Sequence, residues 1–355
     1  RRRGQLDVRT GGLDGAQVGT GRDRPDRADH PDPTRGCRLH EGARAGLDHV
    51  DHRDGQLVAQ LVERRGGRGV APENTLPAFA QALAVGVTTL ETDLAMTRDG
   101  VLVLSHDPRL NPALTRGPDG RWLDAGGPAI RTMTLDQLAS YDVGRLNPNT
   151  SYGRQWPQQQ PADGARIPTL AALFALARER RVRFNIETKL TPDDEADAPD
   201  PATFARAVVE EVRRSGMTER VAVQSFDWRT LLEVKRIAPE LTTSCLTMQT
   251  PSTDTVSAEA DGASRWHAGL RAADHGDSIV GLVHAAGCSI WSPFWRNLTR
   301  ELVDDAHAQG LKVIVWTVND PTDIEGVIAL GVDGLITDFP ERARRVLLAR
   351  GVAIE

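Results

Sequence analysis

From position 56 onward the apolar residues fall into two alternating rhythms. Short apolar runs with strand character occur at 56–62, 88–94, 101–105, 182–189, 220–225, 241–247, 289–292, 312–317 and 334–337. Between them lie stretches with helical spacing, as in 74–85, where Leu76, Phe79, Ala80 and Leu83 share a face. Further helices are predicted at 170–178, 202–214, 229–237, 300–309, 322–330 and 341–349, with a short one at 135–141. Two segments break the rhythm: 111–167, rich in Gly, Pro, Asn and Gln, and a polar insertion at 250–275. Repeated strand–helix units with short connections predict a parallel sheet. Eight or nine strands in the 300 residues after position 55 suit a (β/α)8 TIM barrel better than an open doubly wound sheet, and no GxGxxG follows the first strand. We therefore expect an α/β chain whose residues 57–355 form one barrel, with a long insertion after the third strand region.

Residues 1–56 have another vocabulary. They contain no Phe, Tyr, Trp, Ile, Met, Lys, Ser or Asn, and neither rhythm persists in them. So few apolar side chains cannot offset the entropy of ordering, which predicts disorder. Arg1, Arg2 and Arg3 are followed by no apolar core of the kind a secretory signal needs. The scattered His30, His40, His49 and His52 suit a solvated tail better than a metal arm. A composition dominated by Arg, Gly, Asp, Ala, Pro and His is what GC-rich DNA gives when read out of frame. We read the segment as non-native on that ground; the absence of a better frame in the upstream DNA would overturn this.

With 43 basic and 49 acidic side chains the formal net charge is −6, which argues against a nucleic-acid partner. No run approaches the ~20 apolar residues of a membrane span. Cys37, Cys245 and Cys288 are odd in number, scattered and without a CxxC, so neither a disulfide framework nor a zinc ribbon is expected.

In a barrel, side chains at the carboxyl ends of strands form the active site. Those ends offer Glu63, Arg64 and Arg65, then Glu91 and Asp93, His106 and Asp107, Glu187 and Lys189, Gln224, Trp316 and Asn319, and Asp338. Glu91 and Asp93 are two apart on a strand and share a face, as do Glu187 and Lys189. Three converging carboxylates either hold a hard cation, Ca²⁺ or Mg²⁺, or pair with Arg65 and Lys189. His106, at a strand end among carboxylates, suits general acid–base work. Arg65 lies beside Gly66 and Gly67, which let backbone approach a ligand, and its guanidinium suits a bidentate grip on phosphate. Lys189 is one of three lysines in an arginine-rich chain, which favours a role for its compact ammonium. Trp316 either lines the pocket floor or belongs to the core.

The blocks Arg65-Gly66-Gly67-Arg68-Gly69-Val70-Ala71-Pro72-Glu73-Asn74-Thr75, Leu90-Glu91-Thr92-Asp93-Leu94 and Ser105-His106-Asp107 resemble, in order and spacing, the glycerophosphodiester phosphodiesterases. Asn185-Ile186-Glu187-Thr188-Lys189, Gln224-Ser225-Phe226-Asp227, Trp316-Thr317-Val318-Asn319 and Asp333-Gly334-Leu335-Ile336-Thr337-Asp338 extend the resemblance to most of the chain after position 60. It implies a barrel that hydrolyses glycerophosphodiesters to glycerol 3-phosphate and an alcohol, a reaction of lipid metabolism. Glu91, Asp93 and Glu187 would hold one divalent cation, Ca²⁺ or Mg²⁺. Arg65 and Lys189 would contact the phosphate, Trp316 the substrate, and His106 would be one of two catalytic histidines. The insertion is similar to that of exported bacterial members, which implies a periplasmic or secreted protein.

One position departs. The family has His-Arg-Gly where this chain has Arg64-Arg65-Gly66. Arginine cannot exchange a proton near neutral pH, and losing a general acid or base costs roughly 10²–10⁴-fold in rate. The departure sits close to the change in composition, so a frame junction near position 64 would explain both. Taken as written, the chain is an impaired phosphodiesterase, or else an inactive binder of glycerophosphodiesters or phosphate. A sugar-phosphate aldolase would want a Schiff-base lysine and gives no reason for the acidic trio.

Overall fold

The computed structural model describes residues 52–53, 56–124, 126–192 and 196–355; the disorder expected of residues 1–51 lies outside them. In chain order the elements are β1 (His52–Arg53), β2 (Gln56–Arg64), α1 (Leu76–Val85), β3 (Thr89–Met96), β4 (Leu102–Leu104), α2 (Leu135–Leu138), α3 (Ser151–Gln155) and α4 (Leu170–Leu176). There follow β5 (Arg183–Thr188), α5 (Pro201–Arg214), β6 (Val221–Ser225), α6 (Trp228–Ile237), β7 (Thr242–Thr247), α7 (Ile279–Ala285) and β8 (Ile290–Pro293). The chain closes with α8 (Arg300–Ala308), β9 (Lys312–Val315), α9 (Pro321–Ala329), β10 (Gly334–Thr337), α10 (Pro340–Ala349) and β11 (Ala353–Ile354).

Parallel strands β2, β3, β5, β6, β7, β8, β9 and β10 pair in that order, and β10 pairs back to β2, closing an eight-stranded barrel. The register sets Arg64 beside Glu91, Asp93 beside Glu187, and Glu187 beside Gln224. In-register neighbours on a parallel sheet point to the same side, so these polar side chains share the lumen. Below them Val62, Ile290, Ile314 and Ile336 pack together and fill the barrel floor. The helices cover the outer face through single apolar stripes. In α5, capped by Asp200 and opened by Pro201, Phe204, Val208, Val209 and Val212 are buried. Each such burial contributes about 1.5–3 kcal/mol.

Several features differ from the sequence reading. The run at 101–105 is not a barrel strand: β4 pairs antiparallel to β3, Leu94 against Leu104, and leads the insertion away from the barrel. Helix α7 was not predicted, because its seven residues lie against a polar insertion and give too little periodicity. The backbone of His52 and Arg53, expected to be disordered, pairs antiparallel with Leu57 and Gln56. This sets His52 seven residues below Arg64 along β2, a rise of roughly 23 Å, so it cannot stand in for a histidine at the mouth.

Cys245 on β7 and Cys288 just before β8 are joined by a disulfide, where the sequence predicted no framework. Barrel closure sets these neighbouring strands side by side, and spacing along the chain carries no sign of that. The long insertion forms a small core of its own with Ala95 and Val103, through Leu110, Ile130, Met133 and Leu138.

Candidate active site

Gly66 has φ +86°, and a Cβ there would lie 2.4 Å from that of Ala78, so only glycine serves. The turn folds Arg65 inward with φ +55°, an uncommon conformation for arginine. Its amide N–H donates to the Glu91 carbonyl and its own carbonyl accepts from Asn74. The side chain is 2% exposed; Nε lies 2.6 Å from Asp93 Oδ2 and Nη1 donates to Glu73 Oε1 at 2.9 Å. Glu73 is held in turn by the Tyr152 hydroxyl of the insertion. Arg65 is thus committed to two carboxylates beneath the mouth. Glu63, buried on the strand face opposite to Val62, is also away from the lumen; burial and then Glu91 hold its carboxyl well above the ordinary range.

Glu91, Asp93 and Glu187 are all buried, with one carboxylate oxygen of each within 4.8 Å of the others. Burial alone would raise Asp93, but Arg65, then His106 and Lys189, outweigh it and hold the carboxyl well below the usual range. Burial and then Asp93 push Glu91 up to about 8, and burial also raises Glu187 against the pull of Lys189. Gln224 Nε2 donates to Glu91 Oε1 at 3.1 Å, and Asn185 Nδ2 donates to Gln224 at 2.9 Å, a polar pillar inside the barrel. Lys189 Nζ donates to Glu187 Oε1 at 2.7 Å and lies 3.7 Å from Asp93 Oδ1.

Both readings of the trio are therefore present, the pairing with Arg65 and Lys189 and a remainder that points to a cation. Glu91 Oε2 and Asp93 Oδ1 are buried without a hydrogen bond. Buried carboxylate oxygens that accept no hydrogen bond are costly unless a positive charge sits among them, and carboxylate oxygen is the ligand that Ca²⁺ and Mg²⁺ take.

A cavity of ≈390 Å³ opens above the trio. Arg64, Glu91, His106, Glu187, Lys189 and Gln224 are among its polar lining. Phe226, Leu246, Met248, Trp266, Trp316 and Ile336 are its apolar lining. His106 Nδ1 lies 2.9 Å from Asp107 Oδ1, and Asn111 fixes the other Asp107 oxygen at 2.6 Å, which orients the ring. Burial, then Lys189 and Arg65, lower the imidazole to about 4, so it is neutral at pH 7 and able to accept a proton. Among the described residues His106 is the one histidine lining this cavity: His267 stacks under Trp228, and His307 pairs with Asp333 at the far end of the barrel. Asp338 is buried, with Arg68 Nε at 2.6 Å, Asn319 Nδ2 at 2.7 Å and Arg64 Nη1 at 3.9 Å.

His106, Lys189, Trp316, Glu91 and Glu187 thus meet at one cavity, with Asp93 buried beside them. Arg65 does not line it, and Arg64 does. Trp316 answers both alternatives: it packs on the lumen floor and lines the cavity, its Nε1 donating to the Ser292 carbonyl at 2.8 Å. Sequence reading missed Trp266, because the polar insertion gives no pattern to mark it, and Leu246 and Met248, because apolar residues at a strand end read as core. It also gave no role to Glu73 or Tyr152, whose partners are set by the fold.

A parallel barrel with carboxylates, a histidine and basic side chains around one carboxyl-end cavity has the make-up of an enzyme site for an anionic ligand. The chain belongs to the Glycerophosphoryl diester phosphodiesterase family, whose sequence profile matches residues 65–342. A solved structure of this family from Silicibacter pomeroyi is 37% identical, with a TM-score of 0.74 over 84% of this chain and 96% of that one. The glycerophosphodiester phosphodiesterase of Caldanaerobacter subterraneus subsp. tengcongensis is 28% identical over 285 residues, covering 79% of this chain and 94% of that protein. That of Bacillus altitudinis is 25% identical over 294 residues, 81% and 98% of the two chains. The matched span begins one residue after Arg64. Family membership makes the chain a phosphoric diester hydrolase by class, with glycerophosphodiesters as the family's substrates.

Proposed function

We propose that this barrel mouth hydrolyses glycerophosphodiesters to glycerol 3-phosphate and an alcohol with one divalent cation, Ca²⁺ or Mg²⁺, and that Arg64 impairs it. The carrying observation is the buried trio Glu91, Asp93 and Glu187, in which Glu91 Oε2 and Asp93 Oδ1 accept no hydrogen bond, next to the cavity that His106 lines. A bound cation would neutralise charge at the phosphoryl oxygens. Lys189 places an ammonium on the same side of the cavity and attracts the phosphate. Neutral His106, oriented by Asp107, removes or returns one proton. Cleavage needs a second proton transfer, and the guanidinium of Arg64 cannot perform it. Arg65 acts from beneath by holding Asp93 ionised and in place. Trp316 and its aromatic neighbours face the organic part of the substrate.

We place the protein in an oxidising compartment, periplasmic or extracellular, because the Cys245–Cys288 disulfide suits such a setting and is rare in reducing cytosol.

The test is release of glycerol 3-phosphate from glycerophosphocholine with added Ca²⁺ or Mg²⁺, for the chain as it stands and for Arg64→His. The expected result is a gain of roughly 10²–10⁴-fold in the variant. Equal turnover by both would overturn the role given to position 64, and turnover undiminished by a chelator would overturn the role of the cation.

A further inference from the structure

Arg64 does more than fail to replace a histidine. Its side chain is 17% exposed and lines the cavity, yet its guanidinium makes no hydrogen bond among the described residues. The nearest acid, Asp338, stands 3.9 Å away and is already engaged by Arg68 and Asn319. A planar fork of five N–H donors, mostly desolvated and donating no hydrogen bond among the described residues, faces the same space as Lys189 and His106. Such a group is stabilised by an oxyanion that accepts from it, and Arg binds phosphate oxygens in pairs.

Resting on the reading that this mouth receives a phosphate, we propose that Arg64 makes the site select phosphomonoester dianions, of the glycerol 3-phosphate type, over phosphodiester monoanions. A diester has two charged oxygens, and its bridging oxygens are poor acceptors. The cation that the carboxylate trio would hold, Lys189 and Arg64 place three positive groups about one phosphate, and a dianion gains more from them than the singly charged diester does. A monoester dianion has a third charged oxygen to offer them. Where a histidine would pass a proton and release the product, a guanidinium only donates hydrogen bonds and keeps the dianion. The chain thereby favours the product side of the reaction of its family.

Isothermal titration of the full chain in excess Ca²⁺ compares glycerol 3-phosphate with a glycerophosphocholine analogue whose choline-side bridging oxygen is a methylene, so that it cannot turn over; release of glycerol 3-phosphate from glycerophosphocholine itself is assayed in parallel. The expected preference for the monoester is ~10-fold or more, about the worth of one charge-assisted hydrogen bond, and falls to within ~3-fold in Arg64→His. A smaller preference in the parent chain, or one that Arg64→His leaves intact, overturns the proposal. Should Arg64→His fail to fold, Arg64→Lys, which keeps the charge and loses the fork, must lose most of the preference. A monoester preference with no turnover by Arg64→His leaves this inference standing and overturns the functional reading; turnover by that variant without a preference in the parent does the reverse.

Discussion

Replacing Arg65 by methionine isolates the electrostatics under the site. The guanidinium is 2% exposed and lies between Asp93, 2.6 Å from Nε, and Glu73, 2.9 Å from Nη1. Methionine fills much of the volume, so the loss is mainly that of a buried cation from between two carboxylates. Removing one partner of a buried pair costs about 3–5 kcal/mol, since the remaining charge stays desolvated. Pairing with Arg65 holds Asp93 well below its ordinary range, and a carboxyl depressed by folding adds stability above its unfolded value near ~3.9 that is lost as pH falls through the folded value. In the variant, burial is opposed only by His106, Lys189 and Arg64, so Asp93 takes up its proton at higher pH than in the parent. The unfolded chains share one Asp93 value, so the stability gap is largest above the variant's folded value and narrows as pH falls through it toward the parent's. Urea unfolding of both proteins from neutral to acid pH, each in chelator, gives the gap directly. A gap under ~1 kcal/mol at neutral pH, or one that widens on acidification, would refute the reasoning.

Two further outcomes follow from the same geometry. Gln224→Leu removes the hydrogen bond to Glu91 Oε1 and strands the Asn185 amide, so divalent-cation affinity should fall roughly 10–100-fold by calorimetry while the near-UV circular dichroism is kept. Cys245→Ala with Cys288→Ala opens a loop of sequence separation 43. On loop entropy this lowers stability by about 4 kcal/mol, read as an earlier urea midpoint, and an unchanged midpoint would show that the bridge does not constrain the unfolded chain.

The legible part of the site was local. Glu91 and Asp93 two apart, Glu187 and Lys189 two apart, and His106 at the end of an apolar run each announce a strand-end side chain through the period of two. The glycines after Arg65 announce a turn, and φ +86° at Gly66 with Ala78 pressed against it gives the reason. Where the sequence reading went astray, the deciding contact was long-range. The run at 101–105 has strand periodicity whichever way it pairs, and only packing against β3 makes it antiparallel. Residue type alone likewise could not tell that the fold sets Arg65 against Asp93 and Glu73 and brings the neighbouring Arg64 to the cavity.

The amino-acid sequence by itself determined the alternation of strands and helices, the barrel they close and which residue types stand at the mouth, because periodicity and turn chemistry act over a few residues. Tertiary structure decided the rest. Register across β3 and β5 sets Asp93 beside Glu187, far apart in the chain. Closure joins Cys245 to Cys288, and the polar insertion, silent in pattern, places Trp266 on the cavity wall. These are distances between segments, fixed by how one packed barrel shares its volume, and no rhythm along the chain records them.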